Sequence, residues 1–233
     1  MVKSMHMNPS IFVIVPAYNE ANVVRSVLKK LIEFGHTIVV VDDGSSDHTW
    51  EILQELPVHA LRHPINLGEG AALQTGMSYA LSKGADVIVH FDADGQHRVE
   101  DIAVLTAPIL SGEADVVLGS RFLRESDAEA VPARRRLLLR CARIINGLLT
   151  GVWLTDAHNG FRALSAEAAS RIHLHENRFA HASEILSQIR QSGAHYIERP
   201  TSILYTDYSQ EKGQSAWNGI RIVIDIVVRK IFR

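Results

Sequence analysis

Residues 86–97 read DVIVHFDADGQH, and this stretch predicts the class of fold. An apolar, β-branched run that is typical of a buried strand passes directly into a loop that carries Asp92 and Asp94 one residue apart. The two carboxylates repel each other, which is costly unless a cation, a phosphate-bearing ligand or a local cap stabilises the loop. We therefore expect a buried strand that ends in either a capping loop or a ligand-binding loop.

The same succession of strand, polar loop and helix fills the first half of the chain. Short apolar runs predict strands at 11–16, 37–41, 58–63, 86–91 and 114–122. Helical spacing predicts the helices between them at 19–35, 46–56, 68–84 and 99–112. Nearly continuous apolar strands that alternate with helices indicate a sheet covered on both faces. The predicted fold class is therefore α/β, with a Rossmann-like mixed, mostly parallel sheet flanked by helices.

Four polar loops follow predicted strands and are expected to meet at one edge of this sheet. They read AYNE (17–20), DDGSSD (42–47), DADGQH (92–97) and GSRF (119–122). In open α/β sheets, ligands bind beyond the carboxyl ends of the strands. We expect the functional site at this edge, because folding alone does not require four such loops there.

Composition limits the classes of protein that the chain can represent. It has 233 residues, of which 46% are hydrophobic, which suits one large domain or one domain with a small extension. A net charge of −2 gives no reason to expect a nucleic-acid partner. The single cysteine, Cys141, excludes an internal disulfide and fits a reducing compartment. Residues 1–10 lack an apolar signal core, and no apolar run reaches the roughly 18–20 residues that span a bilayer. We therefore expect a soluble protein or one that lies on a membrane surface.

Two segments in the second half indicate contact with a membrane surface. Residues 131–151 combine five arginines with many leucines, and residues 215–233 predict an apolar helix with a narrow polar stripe. Both patterns are typical of amphipathic helices in a membrane interface. For the first segment, the alternative is a helix packed within the protein, and for the tail it is a homodimer contact or a small membrane-protein partner. The remaining predicted elements are a polar loop at 156–165, a helix at 181–193 and a strand at 195–205.

Asp92 and Asp94 are the candidate metal ligands. In an extended turn, alternate residues can direct their oxygens toward one point, and two hard carboxylates suit Mg²⁺ or Mn²⁺. Such an ion takes further ligands from phosphates and acts as a Lewis acid on a leaving diphosphate. Gln96 could add an amide oxygen. The alternative is a helix-capping aspartate beside a solvated one.

Three other loops contain candidates that also have structural interpretations. Asp42 or Asp43 could accept hydrogen bonds from a nucleotide base or a ribose, or could belong to a turn that precedes a capped helix. The glycines of NLGEGAAL (66–73) could present N–H groups to a phosphate, although close packing is the favoured alternative. Arg121 is either a phosphate ligand or one half of a surface ion pair.

Six motifs, taken together and in their order, resemble family 2 glycosyltransferases with the GT-A fold. They are VPAYNE, VVVDDGSSDHT, NLGEGAALQTG, FDADGQH, VVLGSRF and DAHNGFRALS. The chain is most similar to the branch with dolichyl-phosphate mannosyltransferases and bacterial polyprenyl-phosphate glycosyltransferases, and YTDYSQEKGQS resembles its bacterial members. The resemblance covers residues 10–215. It implies a nucleotide-sugar donor, a divalent ion (Mg²⁺ or Mn²⁺) and inversion at the anomeric carbon.

The resemblance also implies roles for individual residues. The nucleotide-sugar ligands would be Pro16, Ala17, Tyr18, Glu20, Asp43, Gly70 and Asp92. The metal ligands would be Asp92, Asp94 and Gln96. The acceptor and the phosphates would contact Arg121, Arg134 or Arg135, and Lys212. Catalysis would depend on Asp94, Arg121 and Asp156. Asp156 would act as general base if the acceptor is a sugar hydroxyl, whereas an ionised lipid phosphate needs positioning and charge neutralisation instead.

The principal hypothesis is a metal-dependent hexosyltransferase that moves a hexose from a UDP- or GDP-sugar to a polyprenyl phosphate, as a peripheral protein on the cytoplasmic face of the membrane. A GT-A catalytic domain would span 1–212, with a nucleotide-sugar-binding part at 10–122 and an acceptor- and membrane-facing part at 123–212. An amphipathic helix would follow at 213–233. The alternatives are a family 2 enzyme acting on a glycan hydroxyl in cell-surface polysaccharide synthesis, a non-catalytic nucleotide-binding protein and a phosphoacceptor receiver domain. The sugar, the base and the oligomeric state stay open.

Overall fold

The computed structural model describes residues 9–124, 143–148, 150–157, 159–177 and 180–204. Seven strands within these ranges form one sheet. They are β1 (Ile11–Ala17), β2 (Thr37–Asp42), β3 (His59–Arg62), β4 (Val87–His90), β5 (Val116–Ser120), β6 (Arg162–Ser165) and β7 (Tyr196–Pro200). All five strands predicted in the first half are present, so the α/β class is confirmed.

The sheet is mixed and mostly parallel, in the order β3-β2-β1-β4-β6-β5-β7. β1 pairs in parallel with β2 and β4, β2 pairs with β3, and β5 pairs with β7. Among the described strands, β6 alone runs antiparallel to its neighbours, between β4 and β5. Because β6 is antiparallel to both β4 and β5, β5 runs in the same direction as β4. The strand β7 is parallel to β5, so it also runs in that direction. The carboxyl ends of the six parallel strands therefore share one edge.

The strand β6 corrects the prediction of a polar loop over 156–165. Residues 162–165 read RALS, which is too short and too polar to show the alternation of a strand. In the sheet, however, Arg162 lies opposite His90 of β4 and opposite Leu118 of β5. The backbone of β6 finds partners on both sides, and this tertiary context overrides its weak local preference.

Helices cover both faces of the sheet. They are α1 (Val24–Glu33), α2 (Thr49–Gln54), α3 (Glu69–Ser82), α4 (Asp101–Leu110), α5 (Ala166–Ser170) and α6 (His181–Ser192). Residues 143–148 are also helical, inside the predicted helix at 131–151. Each of α1 to α4 and α6 lies within a predicted helix and is shorter than the prediction, because the flanking residues that resemble the helix in composition form turns and caps.

Two apolar layers hold the helices on the sheet, one on each face. In β1, Phe12 and Ile14 face the layer that includes α3, whereas Val13 and Val15 face the layer that includes α1 and α4. The helix α3 approaches β1 closely, because a Cβ on Gly76 would lie only 2.2 Å from Ile14 Cγ2. Because α3 follows the parallel strand β3, its N-terminus lies at the carboxyl edge of the sheet.

Some predictions concern residues outside the described ranges. These are the acceptor contacts of Arg134, Arg135 and Lys212 and the amphipathic tail helix at 213–233. They stay predictions, as does the division of the chain into domains. Among the helices that the structure does describe, none combines the length and the apolar character needed to cross a bilayer.

Candidate active site

The carboxyl edge of the sheet gathers the four polar loops, as the sequence predicts. The loops at 17–20, 42–47, 92–97 and 119–122 follow β1, β2, β4 and β5. Because β6 is antiparallel, the loop that precedes it also reaches this edge, as does the segment after β7 at 201–204. The edge therefore gathers further segments beside the four predicted loops.

Hydrogen bonds join the loop after β1 to the loop after β2. Asn19 has a left-handed backbone (φ 54°), donates its N–H to Ser45 Oγ at 2.9 Å and accepts the N–H of Ser46 at 2.9 Å. The N–H of Glu20 donates to Thr49 Oγ1 at 2.8 Å. These bonds connect residues far apart in sequence, so they hold the two loops in one arrangement.

The predicted nucleotide-sugar ligands at 16–20 differ in accessibility. Tyr18 is 45% exposed, Pro16 is half-buried, and Ala17 and Glu20 are buried. An aromatic ring offers a flat apolar face and a hydroxyl to a ligand. Of these four residues, Tyr18 has the most exposed side chain, and its contact with a nucleotide stays a prediction.

Asp43 is enclosed by the loop between β3 and α3. It accepts the N–H of Leu67 at 3.0 Å and the N–H of Gly68 at 2.7 Å, and His63 Nδ1 lies 2.7 Å from its Oδ1. The residue is buried. The carboxylate therefore organises the entry to α3, and its predicted contact with a base or ribose stays a prediction.

Gly70, also a predicted nucleotide-sugar ligand, lies in a close backbone contact. Its N–H donates to Asn177 O at 3.0 Å, and a Cβ at this position would lie 2.2 Å from Glu176 O. The N–H of Gly68 is likewise engaged, with Asp43. The glycine-rich entry thus directs these N–H groups to the protein, which supports the close-packing alternative over the phosphate cradle.

Two neighbours hold the carboxylate of Asp92. His97 Nε2 lies 2.8 Å from Asp92 Oδ2, and a Cβ on Gly160 would lie 3.0 Å from both carboxylate oxygens. Burial alone would raise the pKa of Asp92, but the charges of His97, Arg162 and His181 and the hydrogen bond from His97 outweigh it and hold the pKa below its ordinary value. Asp92 is thus an ionised and oriented carboxylate.

Asp94 has the opposite electrostatic environment. Burial, the charge of Asp92 and, more weakly, that of Glu20 raise the pKa of Asp94 to about 6, although the N–H of Gln96 donates to its Oδ1 at 3.0 Å. The carbonyl of Gln96 in turn accepts the N–H of Leu204 at 2.8 Å. The two carboxylates therefore repel each other as predicted, and a bound cation would relieve the repulsion.

Arg121 and Asp156, both predicted catalytic residues, form a buried ion pair. Arg121 Nε lies 2.6 Å from Asp156 Oδ2, and Nη2 lies 2.7 Å from Oδ1. The backbone N–H of Arg121 adds a third bond, 3.2 Å from Oδ2. Both oxygens of Asp156 thus accept hydrogen bonds from Arg121, a bidentate geometry that is among the strongest in proteins.

Glu198 of β7 holds the loop that carries Asp156 of this ion pair. Its carboxylate accepts the N–H and the hydroxyl of Thr155, at 2.9 and 2.7 Å, and the N–H of Asp156 at 3.2 Å. The hydroxyl of Thr155 lies 2.6 Å from that of Ser120 at the end of β5. Two strands therefore hold the loop that presents Asp156.

The sequence prediction missed three functional candidates. His97 belongs to the FDADGQH motif, but nothing local shows that its ring turns back to Asp92. Arg162 belongs to DAHNGFRALS, where the sequence predicts a loop rather than the strand β6. Glu198 lies in a predicted strand, 42 and 43 positions from its partners. A charged residue in an otherwise strand-like segment was the available signal for Glu198.

The carboxylates at the end of β4 fit a hard divalent cation whose coordination a substrate completes. The side chain of Asp92 is 34% exposed, and Asp94 is half-buried, so both are accessible from the edge. Within the described ranges, no group of three or more His, Cys, Asp or Glu side chains is arranged to hold an ion by itself. Mg²⁺ and similar ions commonly bind through one or two carboxylates and take their other ligands from water and phosphates.

Comparison with known proteins gives consistent matches over most of the chain. A profile described as glycosyl transferase family 2 matches residues 12–172. The chain is 32% identical, over 241 residues, to the UDP-N-acetylglucosamine–dolichyl-phosphate N-acetylglucosaminyltransferase of Methanococcus voltae, covering 95% of this chain and 96% of that protein. It is 34% identical, over 174 residues, to the polyprenol monophosphomannose synthase of Mycolicibacterium smegmatis, covering 70% of this chain and 64% of that protein.

A solved structure shares the fold. Glucosyl-3-phosphoglycerate synthase from Mycobacterium tuberculosis, in complex with Mn²⁺, UDP and glucosyl-3-phosphoglycerate, has a TM-score of 0.68 and 18% sequence identity. The match covers 95% of this chain and 78% of that one. The similarity concerns the fold, and it confirms the predicted fold class.

Proposed function

Because the chain belongs to glycosyl transferase family 2, we propose that it moves a hexose from a UDP- or GDP-sugar to a polyprenyl phosphate, with inversion at the anomeric carbon. Membership of this family makes the chain a glycosyltransferase, so the receiver-domain and non-catalytic alternatives are wrong. The acceptor is supported by the two relatives, whose names contain dolichyl phosphate and polyprenol monophosphomannose.

The ion pair between Arg121 and Asp156 is the observation that distinguishes a phosphate acceptor from a hydroxyl acceptor. A sugar hydroxyl needs a general base with a free oxygen near the acceptor. Here both oxygens of Asp156 accept hydrogen bonds from Arg121, and Glu198 holds the backbone around it. A phosphate acceptor has an oxygen that is already ionised, so it requires no base. The arrangement therefore favours a lipid phosphate over a glycan hydroxyl.

The proposed reaction is a direct displacement. An oxygen of the acceptor phosphate forms a bond to the anomeric carbon while the bond from that carbon to the diphosphate oxygen breaks, and the electron pair leaves with the nucleoside diphosphate. Asp92 and Asp94 would hold Mg²⁺ or Mn²⁺, which when bound neutralises the leaving diphosphate. The surrounding residues orient these carboxylates and keep Arg121 in place, so positioning and electrostatics supply the rate.

An exposed apolar patch supports a peripheral position on the membrane, which we place at the cytoplasmic face. Ile144, Leu148 and Trp153, here named the Leu148 patch, are 49%, 72% and 60% exposed. Ile144 and Leu148 are one helical turn apart, and the ring of Trp153 packs on Gly147 between them. Apolar side chains on one side of a helix suit the interface of a bilayer that contains the lipid acceptor.

The proposal is tested by transfer assays with the full-length protein. Short-chain polyprenyl phosphate is supplied with radiolabelled UDP-glucose, UDP-N-acetylglucosamine or GDP-mannose, in Mn²⁺ and then in excess chelator. We expect a glycosyl phospholipid from at least one donor, with loss of product on chelation and in Asp94→Asn. The control Glu51→Gln changes an exposed carboxylate of α2 and should retain activity. Transfer to glycan hydroxyls with no lipid product would overturn the proposal.

A further inference from the structure

The arginine of the DAHNGFRALS motif has no role in the mechanism above. Arg162 is the first residue of β6 and is 4% exposed. On the sheet it lies between His90 of β4 and Leu118 of β5. Because β6 begins at the carboxyl edge, this buried guanidinium lies next to the candidate active site.

Gly160 connects Arg162 to Asp92. Arg162 Nε donates to Gly160 O at 3.1 Å, and Gly160 packs against the carboxylate of Asp92 so closely that a Cβ there would lie 3.0 Å from each oxygen. The charges of Asp92 and Glu69 act on Arg162. Among the described residues, however, neither forms an ion pair with it.

Other polar side chains complete a buried cluster around Arg162. Neither ring nitrogen of His90, which is 1% exposed, has a hydrogen-bond partner within the described part of the chain. Burial, with Arg162 and His181 nearby, lowers the pKa of His90 well below its ordinary value, so His90 is neutral. His181 Nε2 lies 3.6 Å from an oxygen of Glu69, whose side chain is 45% exposed. Arg162 is thus the permanent cation of the cluster.

A buried guanidinium without a close counter-ion is energetically costly. Taking a charge out of water is unfavourable unless an opposite charge and hydrogen bonds replace the solvent. Guanidinium carries N–H donors on three nitrogens, and in the described structure only Nε has a protein acceptor, Gly160 O. An oxyanion that enters from the side of Asp92 would satisfy both requirements.

We propose that Arg162 binds a phosphate group of a substrate. The first turn of α6, a helix of 12 residues whose N-cap residue Ala180 provides no side-chain cap, begins at His181 in the same cluster and adds the positive end of its dipole. The unpartnered ring of His90 offers a further hydrogen bond. The inference rests on the proposed function only for the source of the phosphate, which is either the nucleoside diphosphate of the donor or the monophosphate of the lipid.

Calorimetry with three probes tests the proposal on the full-length protein. The probes are inorganic pyrophosphate, UDP or GDP with Mn²⁺, and farnesyl phosphate. Arg162→Gln removes the positive charge. Arg162→Lys retains the charge, and it is measured instead if Arg162→Gln does not fold. Arg171→Gln is the matched control, because Arg171 is exposed and pairs only with Glu167 on α5 among the described residues. We expect Arg162→Gln to weaken binding about tenfold or more, a loss typical of a charge-assisted hydrogen bond, with a smaller loss for lysine.

The three probes distinguish the two possible sources of the phosphate, the donor and the acceptor. A loss with pyrophosphate and nucleotide assigns Arg162 to the donor, whereas a loss confined to farnesyl phosphate assigns it to the acceptor. Unchanged affinity for all three probes in a folded variant with a wild-type melting temperature overturns the proposal. If pyrophosphate binding depends on Arg162 but no sugar reaches a lipid phosphate, the proposed function fails while the phosphate site stands.

Discussion

At the scale of single residues, His97 shows how a side chain outside the predicted ligand set orients one of the predicted ligands, Asp92. Its ring packs between Phe91 and Phe161, with centroid distances of 5.4 and 4.6 Å. Its Nε2 meets Asp92 at 2.8 Å. The aromatic contacts fix the ring, and the ring fixes the carboxylate. Hydrogen bonds of this kind orient metal ligands in many proteins.

Replacing His97 with alanine is expected to weaken the binding of Mn²⁺ together with UDP or GDP by about tenfold to a hundredfold, because Asp92 loses its orienting partner. Isothermal titration calorimetry measures the change. His173→Ala is the control, since His173 is exposed and its described contacts with Gln188 involve only the backbone. Equal affinity in both variants would show that Asp92 needs no support from His97.

Asp94 makes stability depend on pH. Its pKa is raised to about 6 by burial and by Asp92, so the folded state binds the proton more tightly than the unfolded state. The stabilising contribution of this group is therefore present at low pH and is lost as the pH rises through about 6.

Asp94→Asn, measured without metal, should raise the melting temperature near about pH 7.5 and raise it much less near about pH 4.5, because the destabilisation by Asp94 develops between the ordinary pKa of 3.8 in the unfolded chain and the pKa of about 6 in the folded protein. Thermal unfolding at the two pH values tests this. The same stabilisation at both pH values would contradict the electrostatic explanation. A pH-independent loss of stability would point to a structural role for the carboxylate instead.

At the scale of elements, the pair Arg121–Asp156 depends on three parts of the fold. Arg121 follows β5, Asp156 belongs to the loop before β6, and Glu198 of β7 holds that loop. Both members of the pair are buried. Breaking it by removal of one partner leaves an uncompensated charge, which is far more costly than the loss of an exposed pair.

Asp156→Asn is therefore expected to lower the free energy of unfolding by about 3–5 kcal/mol. Chemical denaturation measures the effect, and Glu113→Gln, which breaks the more exposed pair with Arg199, serves as the control. Under conditions where the variant is folded, single-turnover transfer should fall less than in Asp94→Asn. A larger catalytic loss at Asp156 would restore its candidacy as general base.

The Leu148 patch makes a prediction about membrane binding. Because its side chains are exposed and apolar, Leu148→Glu should reduce the fraction of protein that floats with liposomes containing anionic lipid. Leu110→Glu is the control, since Leu110 is 45% exposed at the end of α4, a helix that is not part of the patch. Flotation that is unchanged in Leu148→Glu would remove the patch from the membrane hypothesis.

At the scale of the whole molecule, the sheet order explains why residues from all parts of the sequence meet at one edge. The central strands β1 and β4 are neighbours although residues 18–86 lie between them in sequence. The insertion of β6 between β4 and β5 then brings Gly160 against Asp92. The carboxylates, the arginines and the residues that hold them thus lie together at one edge of the sheet.

A ligand that binds at this edge of the sheet should stabilise the entire fold. We expect a nucleoside diphosphate and Mn²⁺ together to raise the melting temperature more than the sum of their separate effects, because each supplies part of the binding site of the other. Differential scanning fluorimetry with UDP, GDP, Mn²⁺ and their combinations measures this. Additive shifts would indicate independent sites.

The sequence predicted the arrangement of strands and helices better than it predicted the contacts between their side chains. Apolar strands and helical spacing are local patterns, so the first five strands, the intervening helices and the site-bearing edge were predictable. The strand β6 was not, since its four residues carry no alternation and pair only because β4 and β5 leave space between them. The bonds of Asp43 and Gly70 likewise depend on loops that are distant in sequence.

The amino-acid sequence by itself determined the fold class, the edge at which the four polar loops meet, and the acidic and basic residue types available there. The tertiary structure alone decided that Asp156 is bound to Arg121, that His97 holds Asp92, and that Arg162 is buried beside them. The physical reason is the range of the interactions. Periodicity and turn chemistry act between neighbours along the chain, whereas charge pairing and burial depend on which loops the sheet brings together.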